Sequence, residues 1–412
     1  MADDKLNETG NGEERMELER RKLGRRDVSL TVLGFGGTAI GNMYHAVDDD
    51  AALATLNASH AAGVRYVDTA PLYGHGLSEH RVGGWLRRVR GENIVLSTKV
   101  GWRLLPAFGQ PTEAGIFQDV PPFRRSIDYS YDGVMRSFED SMQRLGTDRI
   151  DVMFIHDADR RNQGDDYDRR FKEAMDGAYP ALLALRDQGV IKAIGAGLNE
   201  WEACQRFAEA GDFDCFLLAG RYTLLDQGSL DSFLPLCERR GIGIVLGGPY
   251  NSGILATGPV EGAHYDYAPA SPEILEKTRR IEEVCRRHGV PLKAAALQFP
   301  LGHPAVASVI PGMGNPAQIA ENMELFHHPI PTDMWAELRD AGLIRTDAPL
   351  PNLGKDRMST GKSSDAAAQI EQALEEKTGK ASGDTEKSPE RKFEEMGEKD
   401  EIREKAGRDR EA

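Results

Sequence analysis

Four side chains in this sequence could together move a proton and hold a reacting oxygen: the carboxylate of Asp68, the phenol of Tyr73, the amine of Lys99 and the imidazole of His156. A buried ammonium beside a phenol favours the phenolate and lowers the tyrosine pKa from about 10. A carboxylate can hold that ammonium and compensate its charge. Tyr73 would then serve as general acid or general base, a role worth ~10²–10⁴-fold, while His156 orients the oxygen. Each residue alone is ordinary, since strand-end lysines often snorkel and strand-end histidines are often just satisfied polar groups. Their shared placement singles them out. Asp68 ends RYVD, Tyr73 follows in TAPLYG, Lys99 ends NIVLSTK and His156 ends DVMFIH.

Those segments must be strands whose ends meet. Strands are predicted at residues 30–35, 65–69, 94–100, 151–156, 191–196, 215–219, 243–246 and 307–310. Most are apolar throughout, as buried parallel strands are. Amphipathic stretches between them read as helices, several with a glycine stop at Gly63, Gly146, Gly189, Gly211, Gly241 or Gly289. Eight such units predict an α/β fold, a (β/α)₈ barrel in which distant strand ends converge on one rim. The long stretch 102–130, rich in Pro, Gly and aromatics, is expected to be a loop over that rim.

The chain has 412 residues, 40% hydrophobic and 28% charged, which accommodates one barrel with tails. The expected division is a charged N-terminal tail at 1–23, a barrel at 24–350 and a charged C-terminal tail at 351–412, both tails disordered. A net charge of -15 argues against nucleic acid or an anionic membrane as partner. The four cysteines form no Cys-x-x-Cys pair, which argues against zinc, and no segment reads as a membrane span or signal peptide. The expectation is a cytoplasmic protein with reduced thiols, a small-molecule substrate and no bound metal. No coiled-coil seam specifies an oligomer.

The segment GVRYVDTAPLYGHGLSEHRVG, with STKVG and DVMFIHDAD after it, resembles the signature of the aldo-keto reductase superfamily. The likeness spans 24–350. Within that superfamily, DYSYDGVMRSFEDSMQRLG, GAGLNEWEAC, LLAGRYTLLDQ and GGPYNSGIL are similar to a bacterial group of D-threo-aldose (L-fucose) and pyridoxal dehydrogenases. The resemblance implies hydride transfer with a nicotinamide cofactor and oxidation of a cyclic hemiacetal to a lactone. Tyr73 would remove the anomeric hydroxyl proton.

GFGGTA at residues 34–39 fits a G-x-G-x-x-A dinucleotide fingerprint, but Asp48, Asp49 and Asp50 open a helix where that reading needs an acid ending a strand. A tight first barrel loop is the better account. Family resemblance puts Gly37 and Thr38 beside the nicotinamide ribose and Asn199 near the carboxamide. GGPYNSGIL offers Gly248, Pro249, Ser252, Gly253 and Leu255 to a pyrophosphate, in a loop position that barrels often use for phosphate. The next loop leads into a helix N-terminus, which favours anions. Resemblance puts Gly312, Met313, Gln318 and Asn322 around the adenosine. Many NADP-preferring relatives carry a lysine and an arginine at Gly312 and Gln318, so NAD is expected here, with NADP as the alternative. Gly247 stands where many relatives stack an aromatic on the nicotinamide, and Tyr222 is a candidate replacement. Tyr44, His45 and Trp102 are candidate pocket residues or ordinary loop packing. The alternatives to an NAD-dependent dehydrogenase are an NADPH-dependent aldehyde or ketone reductase, and a nucleotide-binding regulatory subunit such as the potassium-channel β subunits.

Overall fold

The computed structural model describes residues 17–351. Eight parallel strands follow one another in chain order: β1 (Phe35–Gly36), β2 (Tyr66–Asp68), β3 (Val95–Val100), β4 (Val152–His156), β5 (Ala193–Leu198), β6 (Cys215–Ala219), β7 (Gly243–Gly247) and β8 (Val306–Ile310). The ends of this sheet meet. Leu33 bridges Val309, the Gly34 N–H donates to the Val309 carbonyl at 3.0 Å, and the Val309 N–H donates to Val32 at 2.9 Å. The result is the nearly closed (β/α)₈ barrel that the continuous apolar strands predict.

Helices cover the outside of the ring because each buries one apolar stripe. The helix Tyr131–Leu145 turns Val134, Phe138 and Leu145 inward; the Ser130 hydroxyl caps its start by accepting from Gly133 N–H, and Gly146 ends it at φ 60°. Of the six predicted glycine stops, five have a left-handed φ between 60° and 86°, whereas Gly211 is extended at φ −148°.

Inside the ring, small and large residues alternate. Gly195 on β5 leaves room for the Phe154 ring from β4: a Cβ there would lie 2.8 Å from Phe154 Cδ1 and 2.3 Å from the Cys215 carbonyl. Below this layer Leu23, Val28 and Leu30 pack against Tyr66, Val95 and Val152 and close the bottom of the barrel. They belong to a hairpin in which Arg20–Lys22 pairs antiparallel with Ser29–Thr31.

That hairpin corrects two expectations. Residues 20–22 are a strand rather than tail, and the predicted strand 30–35 divides between the floor and β1. A third correction is the stretch 102–130, where Trp102–Pro106 pairs with Phe123–Ile127 as a second antiparallel hairpin. The remainder of the two expected tails, 1–16 and 352–412, lies outside the described residues. All four cysteines are buried free thiols. No helix among the described residues is long and apolar enough to cross a membrane.

Gly195→Ala therefore forces β5 and β6 apart or displaces Phe154. It is expected to lower unfolding stability by about 1–3 kcal/mol, measured by urea denaturation.

Candidate active site

The three strand-borne residues of the expected set sit at the C-terminal ends of β2, β3 and β4, and strand register brings them together. Asp68 lies opposite Ser97, two residues before Lys99 on the same face, and His156 lies opposite Gly197. Lys99 Nζ donates to Asp68 Oδ2 at 2.6 Å and to the Thr69 carbonyl at 2.9 Å. Gly197 borders the lysine stem, with Lys99 Cε 3.5 Å from where a Cβ would be. Tyr73 enters from the turn after β2. Lys99 Nζ stands 4.4 Å from the centre of the Tyr73 ring, and the Tyr73 and His156 rings meet edge to face at 5.7 Å. Gly74 is required here: its φ is 63°, and a Cβ would fall 2.2 Å from the Gly41 carbonyl. All four side chains thus share one pocket.

Two further polar residues support them from below. Ser97 Oγ donates to Asp68 Oδ1 at 2.7 Å, and the Tyr66 hydroxyl lies 3.0 Å from Ser97 Oγ. Both are fully buried and belong to apolar-looking runs, so nothing in their spacing marked them.

Burial lifts the Asp68 carboxyl above its ordinary pKa, against the pull of Lys99 and Ser97. Burial also opposes the Lys99 charge, but Asp68 and Tyr73 outweigh it and the ammonium titrates above its ordinary value. The Tyr73 phenol is raised, which corrects the expectation from the Lys99 contact alone. Desolvation is the largest effect; Lys99 and Thr38 pull the phenol down and Asp68 pushes it up. His156 is driven well below its usual range, first by burial and then by Lys99, so its ring is neutral. Its Nδ1 has no hydrogen-bond partner among the described residues.

Loops build the wall around this set. The Tyr44 N–H donates to Ile116 O at 2.8 Å, which ties the first loop to the hairpin Trp102–Pro106/Phe123–Ile127. That hairpin brings Phe117 to 6.5 Å from the Tyr73 ring, centre to centre. Tyr44 and His45 are exposed on the first loop. Trp102 Nε1 donates to Asp157 Oδ2 at 3.0 Å, which sets it against the residue that follows His156. From the far side comes a short hairpin, His264–Tyr265 with Ala268–Pro269. Its Asp266 accepts from Arg161 Nη1 at 2.6 Å and Arg221 Nη2 at 2.7 Å, which holds Tyr267 within electrostatic reach of Tyr73, Tyr44 and Asp157.

The expected cofactor residues fall into two groups. Beside the first loop, the Gly37 N–H donates to Asp68 O at 2.8 Å, and the Asn199 N–H on the opposite rim donates to Asp159 Oδ2 at 2.6 Å. The loops after β7 and β8 converge through Tyr250, whose hydroxyl donates to Asn322 Oδ1 at 2.6 Å. Asn322 Nδ2 in turn donates to Gly312 O at 3.3 Å. Gly248, Ser252 and Gly253 have positive φ, and Ser252 Oγ accepts the Tyr267 N–H at 2.9 Å. Pro249, Leu255 and Met313 are buried and shape the loops from behind. Gln318 Oε1 accepts the Gly314 N–H at 2.7 Å, closing the turn before the helix Pro316–His327.

These loops fit a dinucleotide on two counts. Asn251 Oδ1 is buried with no partner among the described residues, an orphan acceptor that a ribose hydroxyl or the adenine amine would satisfy. The space beside Gly312 and Gly253 is open, since a Cβ added at either would meet nothing within 4 Å. Residues 311–322 contain no lysine or arginine. Tyr222 does not belong to this site. Its ring is fully buried against Phe299 at 5.3 Å and His303 at 5.4 Å, which rules out the stacking role considered for it.

With this geometry in place, comparison with known proteins is specific. Residues 32–342 match the model of the aldo/keto reductase family. The chain belongs to that family. It is 43% identical over 337 residues to pyridoxal 4-dehydrogenase of Microbacterium luteolum, covering 79% of this chain and 98% of the relative. It is 41% identical over 325 residues to D-threo-aldose 1-dehydrogenase of a Pseudomonas species, covering 77% and 96%. In fold it is similar to the holo form of an aldo-keto reductase from Bacillus halodurans, at TM-score 0.62, 24% identity and coverage of 79% and 96%. This aldo-keto reductase is an oxidoreductase, and its family uses nicotinamide cofactors.

The Asp68–Lys99 pair is buried on both sides, each side chain 1% exposed. Removing one partner strands the other, at a typical cost of 3–5 kcal/mol. Lys99→Met is expected to lose about that much stability in urea unfolding, and the double variant Asp68→Asn/Lys99→Met to recover at least ~1 kcal/mol of it.

Proposed function

We propose that this enzyme oxidises the cyclic hemiacetal of an aldose or a pyridoxal-like aldehyde to its lactone, with NAD as hydride acceptor. The grouping of Tyr73, Lys99, Asp68 and His156 around one point at the barrel mouth carries the reading. The names of the two relatives above 40% identity support the substrate class. The absence of a lysine or arginine in residues 311–322 supports NAD, since a 2′-phosphate would find no cation there.

Gly248, Ser252 and Gly253 would hold the pyrophosphate, with Gly312, Gln318 and Asn322 around the adenosine and Gly37, Thr38 and Asn199 at the nicotinamide end. When bound, the cofactor supplies the carbon that takes up the hydride. The protein does the rest. Tyr73 takes the proton of the anomeric hydroxyl as the carbon–hydrogen bond breaks and the carbonyl forms. Tyr73 does so as the phenolate, whose negative charge Lys99 stabilises until the proton arrives, and Asp68 keeps Lys99 aimed. Neutral His156 hydrogen-bonds the reacting oxygen and sets its orientation. One observation favours the reverse use: a phenol raised above its ordinary pKa is a better proton donor than base near neutrality, which suits aldehyde reduction.

The test is steady-state kinetics with NAD and NADP on L-fucose, D-arabinose, L-galactose and pyridoxal, following absorbance of the reduced cofactor, with aldehyde reduction assayed alongside. NAD is expected to outperform NADP. Oxidation should rise with pH into the alkaline range as Tyr73 loses its proton. Tyr73→Phe should cut kcat by ~10²–10⁴-fold while cofactor binding, read by fluorescence quenching, stays unchanged. Reduction without oxidation of any hemiacetal would replace the dehydrogenase reading with the reductase one.

A further inference from the structure

The buried acids among the described residues are Asp68, Glu79, Asp151, Asp157, Asp159 and Asp214, and all but Asp157 have both carboxylate oxygens hydrogen-bonded or ion-paired at 3.0 Å or less. Glu79 accepts from Thr98 and Arg144. Asp151 holds the Leu96 N–H and Lys192. Asp159 accepts from Asn162 and Asn199. Asp214 holds Arg26, Arg186 and the Ile194 N–H. Asp157 has a single hydrogen-bond donor, Trp102, on Oδ2. Its Oδ1 lies 3.6 Å from His156 Nε2, too far for a hydrogen bond, and its side chain is 11% exposed. A buried carboxylate left half-satisfied at the mouth of a pocket is an acceptor waiting for a donor.

The backbone is built to aim it there. Asp157 has φ 55°, a left-handed conformation uncommon outside glycine but tolerated by aspartate. Three bonds hold the turn: the Asp157 N–H to Gly197 O at 3.1 Å, Gln163 Nε2 to Asp157 O at 2.7 Å, and the Tyr129 hydroxyl to His156 O at 2.6 Å. The reversal places the carboxylate beside the His156 ring. Tyr73 and His156 address the reacting oxygen, so Asp157 Oδ1 addresses a group attached nearby.

Resting on the hemiacetal-oxidation reading, we propose that Asp157 determines substrate specificity by accepting a hydrogen bond from a hydroxyl on the carbon next to the reacting one, with Trp102 as its positioning residue. An aldose in its ring form carries such a hydroxyl and a 2-deoxy aldose does not. A bond to an ionised acceptor is stronger than a neutral one, and an acceptor left unpaired by the wrong substrate adds to the discrimination. Charges facing Asp157 come from Lys99 on β3, Arg125 on the long hairpin and Asp159 on its own loop, with His156, Tyr129 and Tyr267 also near. Burial first and Asp159 second push the Asp157 carboxyl up to about 7, against Trp102, Lys99 and Arg125. Recognition is therefore lost as pH falls through that region and the acceptor becomes protonated.

The experiment measures kcat and KM for NAD-dependent oxidation of an aldose and its 2-deoxy counterpart, from pH 5.5 to 9, in wild type, Asp157→Asn and Trp102→Phe. Wild type should prefer the aldose, and Asp157→Asn should lower its kcat/KM for the aldose roughly 10–100-fold, mainly through KM. The same variant should leave the 2-deoxy sugar within about twofold and abolish the loss near pH 7 seen with the aldose. Trp102→Phe keeps the carboxylate but removes the donor that lowers its pKa. It should move that limb to higher pH for the aldose alone, and it serves as the test if Asp157→Asn does not fold. Equal losses on both sugars, or no wild-type preference, overturn the specificity role and leave the dehydrogenase reading standing. A wild type that oxidises neither sugar yet reduces aldehydes overturns both.

Discussion

The ammonium of Lys99, fully buried at the top of the barrel, is the constraint around which the upper half of this molecule is arranged. A lone charge there would be prohibitive, and a salt bridge repays its own desolvation only when the remaining hydrogen bonds are also supplied. They are. Asp68 and the Thr69 carbonyl accept from Nζ, Ser97 donates to the second oxygen of Asp68, and Tyr66 backs Ser97. The strand ends must keep their register to within a residue for this chain to hold, because a slip of one turns Asp68 or Lys99 out of the barrel. The same charge helps keep His156 neutral and draws the Tyr73 phenol down against burial. Structural support and reactivity therefore draw on one group.

Keeping that group dry at the bottom while leaving it reachable from above divides the barrel into two ends. The lower end is plugged by a hairpin whose Leu23, Val28 and Leu30 complete the interior core. The upper end is walled by loops that are tied to one another. Tyr250 holds Asn322 across the last two loops, Asp266 takes arginines from the loops after β4 and β6, and Tyr44 pairs with the long hairpin. Isolated surface ion pairs are worth little, but Asp266 is one carboxylate shared by two partly buried arginines, which anchors a loop more firmly.

How much of this could be read from the sequence depends on the range of the interaction that decides each feature. The barrel strands are legible because burial on both faces makes them continuously apolar, and helix ends are legible where a glycine must turn left-handed. Gly211 breaks that pattern since it leaves its helix in an extended conformation. Asp68, Lys99 and His156 are visible as polar residues closing apolar runs. The floor hairpin is not: RRK at residues 20–22 looks like tail, and its partners lie across the barrel. Residues 102–130 read as loop because Pro and Gly interrupt them, although their two ends pair strand to strand. Tyr222 looks available beside a strand end, yet its ring turns outward to Phe299 and His303. The direction of the Tyr73 shift was hidden for the same reason. A contact with lysine can be guessed from spacing, whereas the extent of desolvation depends on every loop that closes over the site.

That contrast also assigns chemistry and selectivity to different parts of the chain. The proton-handling groups stand on strands or directly at their ends, where backbone ladders fix them and little can vary without collapse of the buried pair. Asp157, Trp102, Phe117 and Tyr267 stand on turns and hairpins, Asp157 and Tyr267 with positive φ, and Trp102–Asp157 and Tyr267–Ser252 hydrogen bonds tie those loops to their neighbours. Changing one of them alters what borders the reacting oxygen without disturbing Lys99 or Asp68. A half-satisfied acid such as Asp157 belongs naturally to this outer set. Its polar capacity is left open by the protein, and in a pocket otherwise lined by aromatic rings it rewards a substrate that brings the missing donor.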